Sequence, residues 1–137
     1  MKICRLLNAV LFFGLSVFVA SGQNQGPQTP EQKEKQLLEY VDKEVQRLSG
    51  LLNLEYWQEF YVDSTLTHDF KAMTEELEHL SAAKVENSDL YIAVQDKWME
   101  QVDASYKRFF TEEQWKKYWK SGAKKAQQAR DKRKNKK

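Results

Sequence analysis

The chain has 137 residues, of which 22 are Lys or Arg and 20 are Asp or Glu, for a formal net charge of +2. Its single cysteine, Cys4, excludes an intrachain disulfide framework. The few glycines form no phosphate-binding loop, and no cysteine or Ser-His-Asp grouping offers a nucleophile with its base. We therefore expect a protein that is not an enzyme and that needs no cofactor.

The first 22 residues have the pattern of a cleavable signal peptide. Lys2 and Arg5 form a positive n-region, an apolar run covers residues 6–20, and Ala20-Ser21-Gly22 places small residues before the cleavage point. The apolar run is shorter than the about 20 residues that a transmembrane helix needs. We predict export, no transmembrane segment after cleavage, and a periplasmic location, since small exported domains elsewhere often rely on disulfides.

The charges of the mature chain are divided between an acidic body and a basic end. Residues 23–106 hold 7 Lys/Arg and 17 Asp/Glu, a net charge of −10, whereas residues 107–137 hold 13 and 3, a net charge of +10. Such a division favours oriented contacts, including self-association. Within the basic C-terminal tail, residues 123–137, we expect the part from Arg130 onward to be a solvated and frayed terminus, after a stretch that could continue as an exposed helix. Export argues against nucleic acid as a partner.

A polar leader over residues 23–30 precedes the first predicted helix. Thr29 as N-cap and Pro30 at the first helical position start this helix, and Gly50 is expected to end it in a left-handed conformation. Apolar residues recur along it at spacings of three and four, as in an amphipathic helix: Leu37, Val41, Val45, Leu48 and Leu52.

Three more helices complete the predicted helical domain, residues 31–122. The second begins near Asn53 or Glu55 and runs to a turn within residues 81–86; the hydroxyl residues near Ser64 could bend it. Capping side chains at 87–89 start the third helix, and a short fourth helix begins after Thr111. No segment alternates apolar and polar residues as strands do. The sequence predicts an all-α fold of four helices, two of them long.

One short pattern occurs twice, each time at a predicted helix start. The copies are Leu54-Glu55-x-x-Gln58 and Phe110-Thr111-x-x-Gln114. In the second copy Thr111 caps the N–H groups ahead of it, and Gln114 reaches back to the Thr111 N–H, as in a capping box. In the first copy Glu55 stands where a threonine would cap, and Asn53 is the alternative N-cap. Taken singly, each copy is an ordinary helix start.

The two copies together resemble the Leu-Thr-x-x-Gln repeat of the Spy/CpxP family of periplasmic helical proteins. The resemblance extends over about residues 31–122, with Glu55 for Thr and Phe110 for Leu as departures. It implies a thin, cradle-shaped homodimer, built from paired long helices. It also implies an ATP-independent chaperone for unfolded or partly folded clients, or a modulator of an envelope stress sensor.

Aromatic residues are dense in the mature chain, which holds four Trp, six Tyr and four Phe. Rings beside cationic groups suit weak binding of partly unfolded chains. We expect Phe70, Trp98 and Phe109 to lie in the core. The candidates for client binding are Tyr56, Trp115, Tyr118 and Trp119.

Two other interpretations follow from the charged residues. The protein could instead be a structural or interaction protein whose basic C-terminal end docks an acidic envelope surface, such as anionic lipid. Glu76-x-x-His79 has the spacing of half a carboxylate-bridged di-iron site, but a second copy is missing from the sequence. We therefore expect no bound metal.

Overall fold

The computed structural model describes residues 27–136, and its all-α fold confirms the predicted class. Helix α1 covers Pro30–Leu52, α2 covers Tyr56–Ala82 and α3 covers Ser88–Phe109. A final segment joins α4, Glu112–Tyr118, through a π-helical turn, Trp119–Ala123, to α5, Lys124–Lys134. None of the helices in residues 27–136 is long and apolar enough to cross a membrane. The predicted signal peptide and the start of the polar leader lie outside the described residues.

The helix starts agree with the local capping signals in the sequence. The side chain of Thr29 accepts from the Gln32 N–H at 3.3 Å, that of Asn87 accepts from the Asp89 N–H at 3.0 Å, and that of Thr111 accepts from the Gln114 N–H at 3.2 Å. Each of these bonds satisfies a backbone donor that the first turn of a helix leaves free. The predicted starts of α1, α3 and α4 are therefore confirmed.

The junction between α1 and α2 differs from the prediction. Helix α1 continues through Gly50, and Asn53, with φ of 53°, takes the left-handed cap position. The two additional residues bury Leu52 to 2% exposure. Burying a leucine stabilises by about 1.5–3 kcal/mol, more than the about 1 kcal/mol that a helical glycine costs. Glu55, rather than Asn53, is the N-cap of α2.

Helix α2 runs without a break past its hydroxyl residues and packs against both neighbours. Contacts of α2 with α3 step in opposite directions along the two helices, from Asp69–Gln101 to Glu76–Trp98, so that the helices are antiparallel. Helix α1 packs against α2 and, near its C-terminal end, against α4. The core lies where the α1–α2 and α3–α4 junctions meet, and it contains Val41, Leu48, Leu52, Val62, Leu66, Val102, Tyr106, Phe110 and Tyr118.

The expectation of a frayed terminus is wrong for residues 130–134, which belong to helix α5. Helix α5 lies against α3, and its Arg130 is only 3% exposed. The Asp103 carboxylate accepts a hydrogen bond from the Arg130 guanidinium and another, at 2.6 Å, from the Tyr118 hydroxyl. In a straight α-helix, residues 118 and 130 would be about a third of a turn out of phase. The π-helical turn and the kink at Gly122 bring both to one carboxylate.

Two further ion pairs hold the end of α5 on α3. Arg133 donates two hydrogen bonds to the Asp96 carboxylate, at 2.7 and 2.6 Å, and the Lys134 ammonium contacts the Glu100 carboxylate at 2.6 Å. Asp96, Glu100 and Asp103 recur at spacings of four and three and therefore share a face of α3. The acidic body and the basic end are thus complementary within one chain.

Gly50 and Gly122 should respond oppositely to substitution by alanine. A Cβ atom at Gly50 would meet nothing within 4 Å, so Gly50→Ala should stabilise the helix by about 0.5–1 kcal/mol. Gly122→Ala should destabilise the protein, because the φ of 139° at this position disfavours any residue with a side chain. Urea unfolding followed by far-ultraviolet circular dichroism measures both. Equal effects of the two substitutions would contradict this assignment of the helix ends.

Alkaline pH should destabilise the fold through its buried tyrosines. Burial raises the pKa of Tyr106 and of Tyr118, and the Asp103 carboxylate raises the pKa of Tyr118 further. The folded state therefore keeps phenol protons that the unfolded chain releases above about pH 10. Stability from this source is complete below that pH and falls above it, by up to about 1.4 kcal/mol per pH unit for each tyrosine.

Tyr106→Phe removes one of the two buried phenol groups and therefore measures its contribution to the pH dependence of stability. The slope of unfolding free energy against pH, measured by urea titrations above about pH 10, should become shallower by up to about 1.4 kcal/mol per pH unit. An unchanged slope would show that Tyr106 does not carry the alkaline sensitivity.

Candidate functional site

The two copies of the sequence pattern meet in the structure through their glutamines. The Gln58 Nε2 donates to Gln114 Oε1 at 2.7 Å, and the Gln114 Nε2 donates to Gln58 Oε1 at 3.0 Å. The two amides thus form a reciprocal pair across 56 residues of sequence. Gln58 is 1% exposed, so that water has little access to it.

Each glutamine of the pair also binds backbone groups at both helix junctions. Gln58 Oε1 accepts from the Glu55 N–H at 3.0 Å, and Gln58 Nε2 donates to the Phe109 carbonyl at 2.9 Å. In the same way, Gln114 Oε1 accepts from the Thr111 N–H at 2.9 Å, and Gln114 Nε2 donates to the Leu52 carbonyl at 3.4 Å. Every donor and acceptor of the two amides is used, as a buried polar group requires.

The remaining pattern residues support this junction. Leu54 packs against the core, and Phe110 is a core residue at 7% exposure. The Glu55 carboxylate accepts from the Trp57 Nε1 at 2.6 Å. The pattern residues therefore position helices. Their pairing was not predicted, because the sequence shows two separate capping boxes and no sign that the boxes meet.

An exposed set of rings lies at the start of α2. We call Tyr56, Trp57, Phe60 and Tyr61 the aromatic patch; their exposed fractions are 87%, 46%, 64% and 51%. Tyr56 and Phe60 lie on the side of the helix away from the buried Gln58 and Val62, whereas Trp57 and Tyr61 lie between the two sides. Exposed apolar surface of this kind marks interaction sites. Tyr56 was a predicted candidate, whereas the other three were not.

Contacts with α3 extend the aromatic patch. The ring centroids of Tyr61 and Phe109 lie 5.7 Å apart, and these residues line a shallow groove of about 270 Å³ together with Thr65, Ser105 and Arg108. The Arg108 guanidinium donates to Ser105 Oγ at 3.0 Å, which leaves its other donors for a ligand. The patch thus combines apolar rings with one cation at its edge.

The other predicted aromatic candidates lie elsewhere. Tyr118 is 8% exposed and belongs to the core, so its prediction as an exposed client-binding residue is wrong; its hydroxyl is bound to Asp103. Trp115 and Trp119 are partly exposed and stack with ring centroids 5.5 Å apart. The three rings predicted in the core, Phe70, Trp98 and Phe109, are all half-buried. Phe70 and Phe109 pack against the core.

Glu76 of the possible metal half-site belongs instead to an ion-pair cluster. The Glu76 carboxylate accepts from the Trp98 Nε1 at 2.8 Å and contacts the Lys97 ammonium. These hydrogen bonds, from Lys97 first and then from Trp98, lower the pKa of Glu76. No group of three or more His, Cys, Asp or Glu in residues 27–136 is placed to hold a metal ion.

Comparison of the chain with models of protein families, with curated proteins and with solved structures gave no match.

Loss of one glutamine of the pair should destabilise the protein strongly. Gln58→Ala removes the reciprocal bonds and leaves the Glu55 N–H, the Phe109 carbonyl and the Gln114 amide without these partners, a loss of about 3 kcal/mol. The matched control is Gln32→Ala. Gln32 occupies the same position of an exposed capping box with Thr29, so its loss should cost less than about 1 kcal/mol.

A double-mutant cycle with Gln58→Ala and Gln114→Ala should give a coupling free energy of at least about 1 kcal/mol. The first truncation already breaks the two bonds between the amides, so that the second truncation breaks fewer bonds than it does in the wild-type protein. Additive effects in urea unfolding would contradict the pairing.

Proposed function

We propose that the protein is a nucleotide-independent binding module of the Spy/CpxP kind, which holds partly unfolded protein chains in the periplasm. The observation that carries this proposal is the aromatic patch. Its four large rings remain at least 46% exposed although the chain has a core in which they could pack. Rings of this kind bind apolar side chains of many sequences with modest affinity.

The paired glutamines support the same proposal, because they concern the helix arrangement that the resemblance implies. The resemblance to the Spy/CpxP repeat rests on the two pattern copies, and these copies share one buried contact at the helix junctions. Of the activities that the resemblance implies, holding of clients agrees best with an exposed apolar surface. Damping of an envelope sensor would use the same surface for one specific partner.

The patch is held in place before any partner binds. Glu55 orients the Trp57 indole, the rings of Trp57 and Tyr61 pack with centroids 6.0 Å apart, and Glu59 binds the Ser49 hydroxyl of α1. A preorganised surface loses little conformational entropy on binding. Release of clients is then governed by the dissociation rate, which is fast for contacts of modest affinity.

Aggregation of reduced insulin tests the proposal, because the reductant leaves a mature chain without cysteine unchanged. The purified protein should suppress aggregation without ATP. Tyr56→Ser/Phe60→Ser should lower this suppression severalfold while leaving the unfolding free energy nearly unchanged, since both rings are mostly exposed.

Leu90→Ser is the matched control. Leu90 is 44% exposed and lies about 28 Å along α3 from Phe109, at the end of the helix away from the patch. Its substitution should leave the suppression intact. Absence of suppression by the wild-type protein at severalfold molar excess would refute the proposal.

The proposal includes a homodimer, and sedimentation separates two uses of the patch. If the patch holds clients, Tyr56→Ser/Phe60→Ser keeps the mass of the wild-type protein. A change from dimer to monomer would show instead that the patch is the dimer interface.

A further inference from the structure

The C-terminal segment presents a second surface, which is basic. We call Lys116, Lys120, Lys124, Lys125, Lys132 and Lys136 the lysine face; all six are exposed. The ion pairs formed by α4 and α5 involve other residues, namely Lys117, Arg130, Arg133 and Lys134. The charges of the lysine face are thus not used in the ion pairs that hold the segment on the body.

The orientation of α5 fixes where these lysines point. Arg130, Arg133 and Lys134 bind the acidic residues of α3. Lys125 and Lys132 are seven residues apart, or about two turns, and both lie at least about 140° around the helix from Arg130. The side of α5 that faces α3 is therefore neutralised, while the outward side carries Lys125 and Lys132, with the exposed Asp131 near Lys124.

We propose that the lysine face docks onto an anionic lipid membrane. Both arginines of α5 are used inside the chain, so that the cations left exposed on this helix are lysines, with Asp131 as an exposed acid beside them. Lysine ammonium groups act as point charges on a diffuse anionic surface, and arginine is preferred where bases or single phosphates are recognised. The composition of the face thus favours a membrane over nucleic acid.

Two tryptophans at the edge of the face favour the same partner. Trp115 and Trp119 each precede a lysine of the face by one residue, are partly exposed and stack on each other. The Lys107 ammonium lies 5.8 Å from the centre of the Trp115 ring. Tryptophan beside lysine is typical of surfaces that sit at the lipid headgroups.

The charge of the rest of the chain would orient the docked protein. Residues 23–106 carry a net charge of −10 and are repelled by an anionic surface, whereas residues 107–137, at +10, are attracted. Docking through the lysine face therefore turns the acidic body away from the lipid.

Vesicle sedimentation of the protein purified after export tests the proposal. Vesicles of phosphatidylcholine with about one third phosphatidylglycerol should bind the protein, with affinity falling steeply as salt rises. K125Q/K132Q should weaken partitioning about 30-fold, from the approximate contribution of each lysine near a charged surface. R133Q/K134Q is the matched control: it removes the same charge from the same helix and should weaken partitioning less than about threefold.

Three results would overturn the proposal. Equal losses in the two variants would show that net charge alone acts. Equal binding to vesicles of phosphatidylcholine alone would show that an apolar segment acts. Tighter binding to duplex DNA than to anionic vesicles at one salt concentration, lost in K125Q/K132Q, would assign the lysine face to nucleic acid. Circular dichroism of R133Q/K134Q checks that α5 keeps its helix.

Discussion

The reciprocal pair of Gln58 and Gln114 is the contact on which the rest of the structure depends. It joins two helix junctions that are far apart in sequence, and each amide binds the start of one helix and the end of another. The core residues gather around this point. Because Gln58 is buried, Gln114 is half-buried and every polar atom of the two amides is bonded, a small shift of either junction would leave several groups without partners. The pair therefore specifies one arrangement of α1, α2, α3 and α4.

Charge complementarity holds helix α5 against α3. The acids on one face of α3 bind the basic residues on one side of α5, and Asp103 is the buried member of this set. Exposed ion pairs contribute little alone, but a buried arginine without its carboxylate would be strongly unfavourable. The segment therefore lies on the body in one orientation. The aromatic patch and the lysine face thus belong to different helices.

Local signals made much of this fold predictable. Thr29, Asn87 and Thr111 were identified as caps because a capping bond involves only residues within one turn. The prediction that Gly50 ends the first helix was wrong, since the burial of Leu52 outweighs the helical penalty of a glycine. Arg130 and Tyr118 were misjudged for another reason: their partner, Asp103, lies on a different helix. Of the rings in the aromatic patch, Tyr56 was predicted as a binding residue. Whether the neighbouring rings are exposed or lie in the core could not be decided from the sequence, because the sequence does not show which face of α2 packs inward.

Nuclear magnetic resonance of the side-chain amides tests the central pair most directly. With ¹⁵N labelling, the Nε2 protons of Gln58 and Gln114 should show cross-peaks to each other and exchange with solvent far more slowly than those of the exposed Gln32. Exchange of all three at similar rates, with no cross-peak between Gln58 and Gln114, would contradict the buried pair and the helix arrangement built on it.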